Sequence, residues 1–176
     1  MAILKILTAP DPRLKRISEP VDKVDDNVRK LYKDMVDTMN SEGTAIGLAA
    51  PQVGVLKRII VIDYSKYDEV KRPKGFYPHL MANPAIVEAS EAKLSDEEAC
   101  FSVPTLGIQV PRAEKVKVEY IDYNNTKQAF EAEGYLARLI QHEIDHLNGV
   151  LTLDYLTPLK RDVAVRKLIK VKKLQG

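Results

Sequence analysis

Gln141-His142-Glu143-Ile144-Asp145-His146-Leu147-Asn148-Gly149 holds two histidines four residues apart, with a glutamate directly after the first. Helical residues advance about 100° each, so His146 stands roughly 40° round the axis from His142 and one turn beyond it. Both imidazoles can therefore reach one metal ion. Glu143 lies about a further 60° to the side, off the ligand line but within reach of a water on that ion, which is the place of a general base. Working outward, Leu136, Leu139, Ile140, Ile144 and Leu147 gather on one face of this helix, with Arg138, Gln141 and Asp145 on the other. Glu143 projects from within the apolar stripe, where an uncompensated carboxylate is costly, and this weighs for a metal site over two ordinary helix histidines.

A catalytic site of the zinc type takes three protein ligands and keeps one position open. No glutamate follows Glu143 and no histidine follows His146, which excludes a downstream glutamate ligand. Gly149 stands where the metzincin extension has its glycine, but Thr152 occupies the place of that extension's third histidine. Asp154 and Asp162 downstream, and Cys100, His79 and several carboxylates upstream, stay open as the third ligand.

The 176 residues fit one catalytic domain with a core of its own, taken as 1–176. Lys and Arg number 27 against 25 Asp and Glu, a net of 27 − 25 = +2, which excludes binding of polyanions by overall charge. The single Cys100 excludes an internal disulfide and suits a reducing, cytoplasmic location. The apolar start Met1-Ala2-Ile3-Leu4 is broken by Lys5 and stopped by Pro10-Asp11-Pro12, too early for a signal peptide, and no apolar run is long enough to imply a membrane partner.

Along the chain, residues 1 to 20 read as an extended lead-in. Val28, Leu31, Tyr32, Met35, Val36 and Met39 recur at helical spacing between an Asp25 or Asp26 cap and Gly43. The run from Gly43 to Gly54 is rich in small residues and lets backbone approach a neighbour closely, yet it lacks the pattern of a phosphate loop. Lys57 to Asp63 and Pro84 to Ala89 read as strands, with a polar loop from Ser65 to Pro78 between them. Glu97 to Pro104 leads into a loop containing Gly107. Val116, Val118 and Tyr120 alternate with Lys117 and Glu119, and Asn124-Asn125 turns the chain into Gln128 to Glu133. A last helix starts with Thr157 as cap and Pro158 in its first turn. Hairpins without βαβ alternation make this an α+β fold, with mixed, mostly antiparallel sheets packed around the central H-E-x-x-H helix and a C-terminal helix after them.

Three segments taken together, Gly47-Leu48-Ala49-Ala50-Pro51-Gln52-Val53-Gly54, Glu98-Ala99-Cys100-Phe101-Ser102 and Gln141 to Gly149, resemble the peptide deformylases. Pro10 to Leu14 and Val110 to Val116 are similar too, so the resemblance covers nearly the whole chain. Two places depart from the family pattern: Ala45 replaces the first glycine of a G-x-G opening, and Ala99 and Phe101 stand in what is usually E-G-C-L-S. The resemblance implies that Cys100, His142 and His146 hold one divalent metal ion, with Fe2+ expected and Zn2+, Ni2+ or Co2+ in its place in purified protein. It implies that Glu143 takes a proton from water at that ion. The Gln52 side-chain amide and the Phe101 backbone N–H would donate to the formyl oxygen as charge builds there. The substrates implied are N-formyl-methionyl nascent peptides, with formate and a free amine as products. Ile46, Leu139 and Tyr135 are expected to enclose the methionine side chain, with Gly47 and Phe101 beside them. Seven Lys or Arg against one Asp from Lys160 onward suggest that the last helix docks on the ribosome. The competing readings are a zinc-dependent peptidase of another class, with Asp154 or Asp162 as third ligand, and a structural metal site completed by His79.

Overall fold

The computed structural model describes residues 2–43, 45–63 and 78–175, so the expected loop from Ser65 lies, up to residue 77, outside the described residues. Helix α1 (Asp26–Ser41) opens where the Asp25 carboxylate accepts from the Val28 N–H at 2.9 Å and closes at Gly43, whose φ of 71° suits a residue without a Cβ. The strands are β1 (Gly47–Ala49), β2 (Ile59–Ile62), β3 (His79–Ala89), β4 (Lys93–Cys100), β5 (Val103–Ala113), β6 (Lys115–Ile121) and β7 (Lys127–Glu133). Helices α2 (Gly134–Leu147) and α3 (Pro158–Gln175) follow.

Five strands form one sheet in the order β1-β2-β3-β6-β7, and β4 pairs with β5 alone. Every pairing between these strands is antiparallel; a lone Glu19–Lys57 bridge is parallel. The α+β reading of the sequence therefore holds.

β2 shows why its Ile-Ile-Val-Ile run lacks alternation. Ile60 and Ile62 join the cluster against α2, while Ile59 and Val61 join the cluster against Tyr32, Met35 and Met39 of α1. Successive side chains point to opposite faces, and here both faces are covered. Each of the four is at most 1 % exposed, worth about 1.5–3 kcal/mol of apolar burial apiece.

α2 lies between the two sheets, and this corrects the reading of its polar side. Leu136, Ile140 and Leu147 pack on the five-stranded sheet as the apolar stripe foretells. Arg138, Gln141 and Asp145 do not face open solvent but meet the β4–β5 hairpin: Gln141 brackets the Ala113 N–H and C=O at 3.0 and 2.9 Å, and the other two enter buried ion pairs. The expected Gly107 loop is also strand. Val103, Ile108 and Val110 bury toward Leu151, Leu153, Ala164 and Leu168, which holds the chain extended through Gly107. β1 and β4 each keep one edge unpaired by a named strand, and these edges border the cavity described next.

Candidate active site

The helix brings His142 and His146 together as their spacing foretells, with Nε2 atoms 3.2 Å apart. Cys100, at the end of β4, places Sγ 3.3 Å from His146 Nε2. The donor atoms of these three buried residues all lie within 4.8 Å of one another, the one such metal-binding cluster among the described residues. The other candidates are engaged elsewhere. Asp154 caps the turn at Leu151 and pairs with Lys15, His79 meets the Tyr120 hydroxyl at 2.6 Å, and Asp162 sits exposed on α3.

The chemistry of this donor set fits a cation. His142 Nδ1 donates to Glu98 Oε2 at 2.8 Å, which leaves its Nε2 lone pair facing the cluster. Burial raises the Cys100 thiol, but the two imidazoles outweigh it and hold the thiol well below its ordinary value, favouring the thiolate that ligates metal. A thiolate and two imidazoles suit a borderline or soft divalent ion in a tetrahedral site with one open position.

Glu98 is the anchor of the site, a role that its place in the sequence does not mark. Its carboxylate accepts from Arg112 Nε and Nη2, both at 2.9 Å, from Arg138 Nη1 at 2.8 Å and from His142. Burial pushes its pKa upward, yet His142 and Arg112 prevail and hold it at about 2. Arg138 also donates to the carbonyls of Val110 and Leu94, tying α2 to both strands of the hairpin. Arg112 Nη1 reaches Asp145 Oδ2 at 2.5 Å, and the Tyr155 hydroxyl donates to the same oxygen at 2.8 Å. Isolated charges buried like these would be very costly; here each is paired and hydrogen-bonded. The one signal in the sequence was the set of charged residues with no apparent partner at positions 98, 112, 138 and 145.

Glu143 is 3 % exposed, and its Oε2 has no hydrogen-bond partner among the described residues. Burial pushes its carboxyl up to about 6, against the pull of the two imidazoles, close to the range in which a carboxylate exchanges protons near neutrality. Gly47 makes room for it: a Cβ there would stand 3.0 Å from Glu143 Cδ, closer still to Oε1, and 2.8 Å from Leu139 Cδ1. Within this run Gly47 is the glycine that makes room for the site, while Ala45 fits into the core against α1.

Gln52 is fixed by its own backbone neighbourhood. The Ala49 N–H donates to Gln52 Oε1 at 2.8 Å, so the amide nitrogen must point the other way, 3.6 Å from Cys100 Sγ and 3.2 Å from Ser102 Oγ. Phe101 follows in the β4–β5 turn with its ring against the α1-side core. A cavity of about 640 Å3 is lined by Ile46, Gly47, Gln52, Cys100, Phe101, Tyr135, Leu139, His142 and Glu143, so every expected site residue except His146 reaches its wall. His146 lies behind, 2 % exposed. Tyr135 stands nearer the mouth than expected, about half exposed at the first turn of α2.

Comparison with known proteins now adds to this geometry. Residues 3–162 match the model of the family described as polypeptide deformylase. The chain belongs to the polypeptide deformylase family. It is accordingly an enzyme that hydrolyses the N-terminal formyl group of polypeptides, in a family that uses a divalent metal. The peptide deformylase of Rickettsia canadensis is 53% identical over 172 residues, covering 98% of each chain. That of Rhizobium meliloti is 44% identical over 176 residues, covering 100% of this chain and 98% of its own. The crystal structure of peptide deformylase from Ehrlichia chaffeensis superposes with a TM-score of 0.90 at 42% identity and 99% coverage of both chains. A second structure of that protein, in complex with actinonin, gives a TM-score of 0.88 at 44% identity, covering 97% of this chain and 98% of that one.

Proposed function

We propose that Cys100 Sγ and the Nε2 atoms of His142 and His146 hold one divalent ion, Fe2+ in the cell, and that the site around them deformylates N-formyl-methionyl nascent peptides. The observation that carries the reading is the convergence of a thiolate-forming cysteine and two imidazole lone pairs beside a buried carboxyl with one oxygen unpartnered among the described residues. Bound there, the ion supplies Lewis acidity, letting water ionise near neutral pH and drawing charge from the formyl oxygen.

The chain's own groups do the rest. Glu143, with its pKa raised to about 6, accepts the proton from water and later returns it to the departing amine. The Gln52 amide, held by Ala49, donates to the formyl oxygen as it becomes anionic, together with the Phe101 N–H. One such donor is worth about 100- to 1000-fold in turnover. The open edges of β1 and β4 flank the cavity, which suits a peptide entering extended and adding as a strand between them. Ile46, Leu139 and Tyr135 then enclose the methionine side chain, with Gly47 close beneath.

α3 buries Ala164 and Leu168 and turns seven basic side chains and the exposed Leu159 and Val163 outward, which supports docking on ribosomal RNA or protein. No helix among the described residues is long and apolar enough to cross a membrane, and we place the enzyme in the cytoplasm as a single catalytic domain. The test is formate release from a formyl-Met peptide by protein purified without oxygen, with metal analysis of the same sample. Stoichiometric Fe2+ with formate release is expected; cleavage of internal peptide bonds instead would return the reading to a peptidase.

A further inference from the structure

The three groups read as metal ligands come from two elements, Cys100 from the β4–β5 hairpin and both histidines from α2. Their spacing therefore depends on what ties the helix to the hairpin. Glu98 and Arg112 do not supply that tie by themselves. They lie on β4 and β5, so the fork of two hydrogen bonds between them holds the hairpin to itself.

Arg138 makes the tie at more points than any other polar side chain of α2 among the described residues. It stands four residues before His142, one turn earlier on the same side of the helix. The two hold opposite oxygens of one carboxylate: Arg138 Nη1 donates to Glu98 Oε1 and His142 Nδ1 to Glu98 Oε2, each at 2.8 Å. The same guanidinium donates to the Val110 carbonyl of β5 at 2.8 Å and to the Leu94 carbonyl of β4 at 2.7 Å. Gln141 and Asp145 also cross from α2, but Gln141 reaches the hairpin at Ala113 and Asp145 at Arg112. Of the three, Arg138 is the one that touches both strands and the carboxylate that orients a histidine.

The position demands this side chain. Arg138 is 9 % exposed, so water cannot readily take over three acceptors that it leaves. A guanidinium presents five N–H donors in fixed directions, whereas an ammonium is a point charge that cannot span acceptors on two strands and a carboxylate together. Without Arg138, Glu98 and Arg112 would keep their fork but could shift as a unit against α2, carrying Cys100 with them and releasing the His142 ring. We propose that Arg138 is a positioning residue for the metal centre: by gripping Glu98 and both strands from the turn before His142, it sets how far Cys100 stands from the histidine pair and how the His142 ring is turned. This rests on the reading of Cys100, His142 and His146 as ligands.

The test is competition with a chromophoric chelator for Zn2+, together with the visible absorption of the Co2+-loaded protein, on the native chain, Arg138→Met and Arg138→Lys. Groups that orient metal-bound histidines are worth about 10- to 100-fold in metal affinity. Arg138→Met is expected to lose that much and to show an altered Co2+ spectrum. Arg138→Lys keeps a charge beside Glu98 but gives up the fork, and its affinity should fall between the other two. Thermal melts of the metal-free proteins separate a brace of the fold from a positioning role. A lower Tm with native Zn2+ affinity and a native Co2+ spectrum would leave Arg138 as a brace only and overturn the inference, and so would an Arg138→Lys that matches the native chain in both. If Arg138→Met does not fold, Arg138→Lys alone decides by the same two readings. A native protein that takes no Zn2+ from the chelator would instead sink the ligand reading beneath it.

Discussion

Replacing Gly47 by alanine should cripple turnover while leaving the metal in place. The new Cβ would lie 3.0 Å from Glu143 Cδ, 2.8 Å from Leu139 Cδ1 and closer still to Glu143 Oε1, where ordinary van der Waals contact begins at about 3.4 Å. Glu143 is 3 % exposed and Leu139 7 %, both on the cavity wall, so the contact is relieved only by pushing them along that wall, and the carboxylate must move by something near 1 Å. A displacement of that size at a reacting group costs on the order of 100-fold in rate. Overpacking in a dense interior adds about 1–3 kcal/mol of destabilisation, which for a chain of this length lowers Tm by roughly 2–10 °C. Gly47 has no positive φ, so backbone strain contributes nothing and the effect is contact alone.

The assay is kcat and KM for a formyl-Met peptide, metal content by elemental analysis and a thermal melt, all on one preparation. The expected pattern is kcat down about 100-fold, full metal occupancy and a folded protein. Near-native kcat would refute the argument that Gly47 exists to seat Glu143. Metal lost in step with activity would refute it differently, by showing that the disturbance travels through Cys100, His142 or His146.

Cys100→Ser is expected to lose most of its metal and its activity in proportion, and rapid-quench mass spectrometry of the native enzyme to find no formyl adduct; a trapped adduct, or a mutant holding full metal, contradicts the ligand role. With iron bound, activity should decay in air faster than with zinc or nickel, read as residual formate release over hours of exposure. Glu98→Gln frees the His142 ring and should weaken metal affinity by about 10- to 100-fold in a chelator competition. Glu98 is held at about 2 against an ordinary 4.5, so its contribution to stability is complete above 4.5 and lost as pH falls toward 2. The Gln variant should therefore show a flatter fall of stability with acid over that window in denaturant titrations, and an unchanged slope contradicts the network. Truncation after Pro158 should abolish salt-sensitive cosedimentation with ribosomes, while persistence of the pelleted fraction assigns the contact elsewhere.

What the sequence made legible follows from the range over which each signal acts. The α1 and α2 stripes, the Asp25 cap, the Gly43 stop and the alternation in β6 are set within one turn or one strand, and the structure bears them out. The histidine pair is of the same kind, because i and i+4 spacing is a geometric statement in itself. The third donor is not: Cys100 lies 42 residues before His142, and only the pairing of β4 with β5 above α2 delivers it, so spacing left it among several candidates and the family resemblance singled it out. Gly107 reads as loop because a glycine soon after Pro104 signals a turn unless one knows what lies across it, and Glu97 is supplied by the neighbouring strand. The polar side of α2 was misread for a similar reason. Arg138 and Asp145 look like a solvated face until Glu98 and Arg112 arrive from the hairpin to pair with them. Charge alone does not reveal burial, because pairing and added hydrogen bonds can offset enough of the desolvation cost to let an ion stand in the interior. The residues that escaped single-sequence reading are thus the ones whose partners come from another element. Of these, Glu98 holds the His142 ring in place, and Glu98→Gln is the substitution that separates this orienting role from the proposed ligation itself.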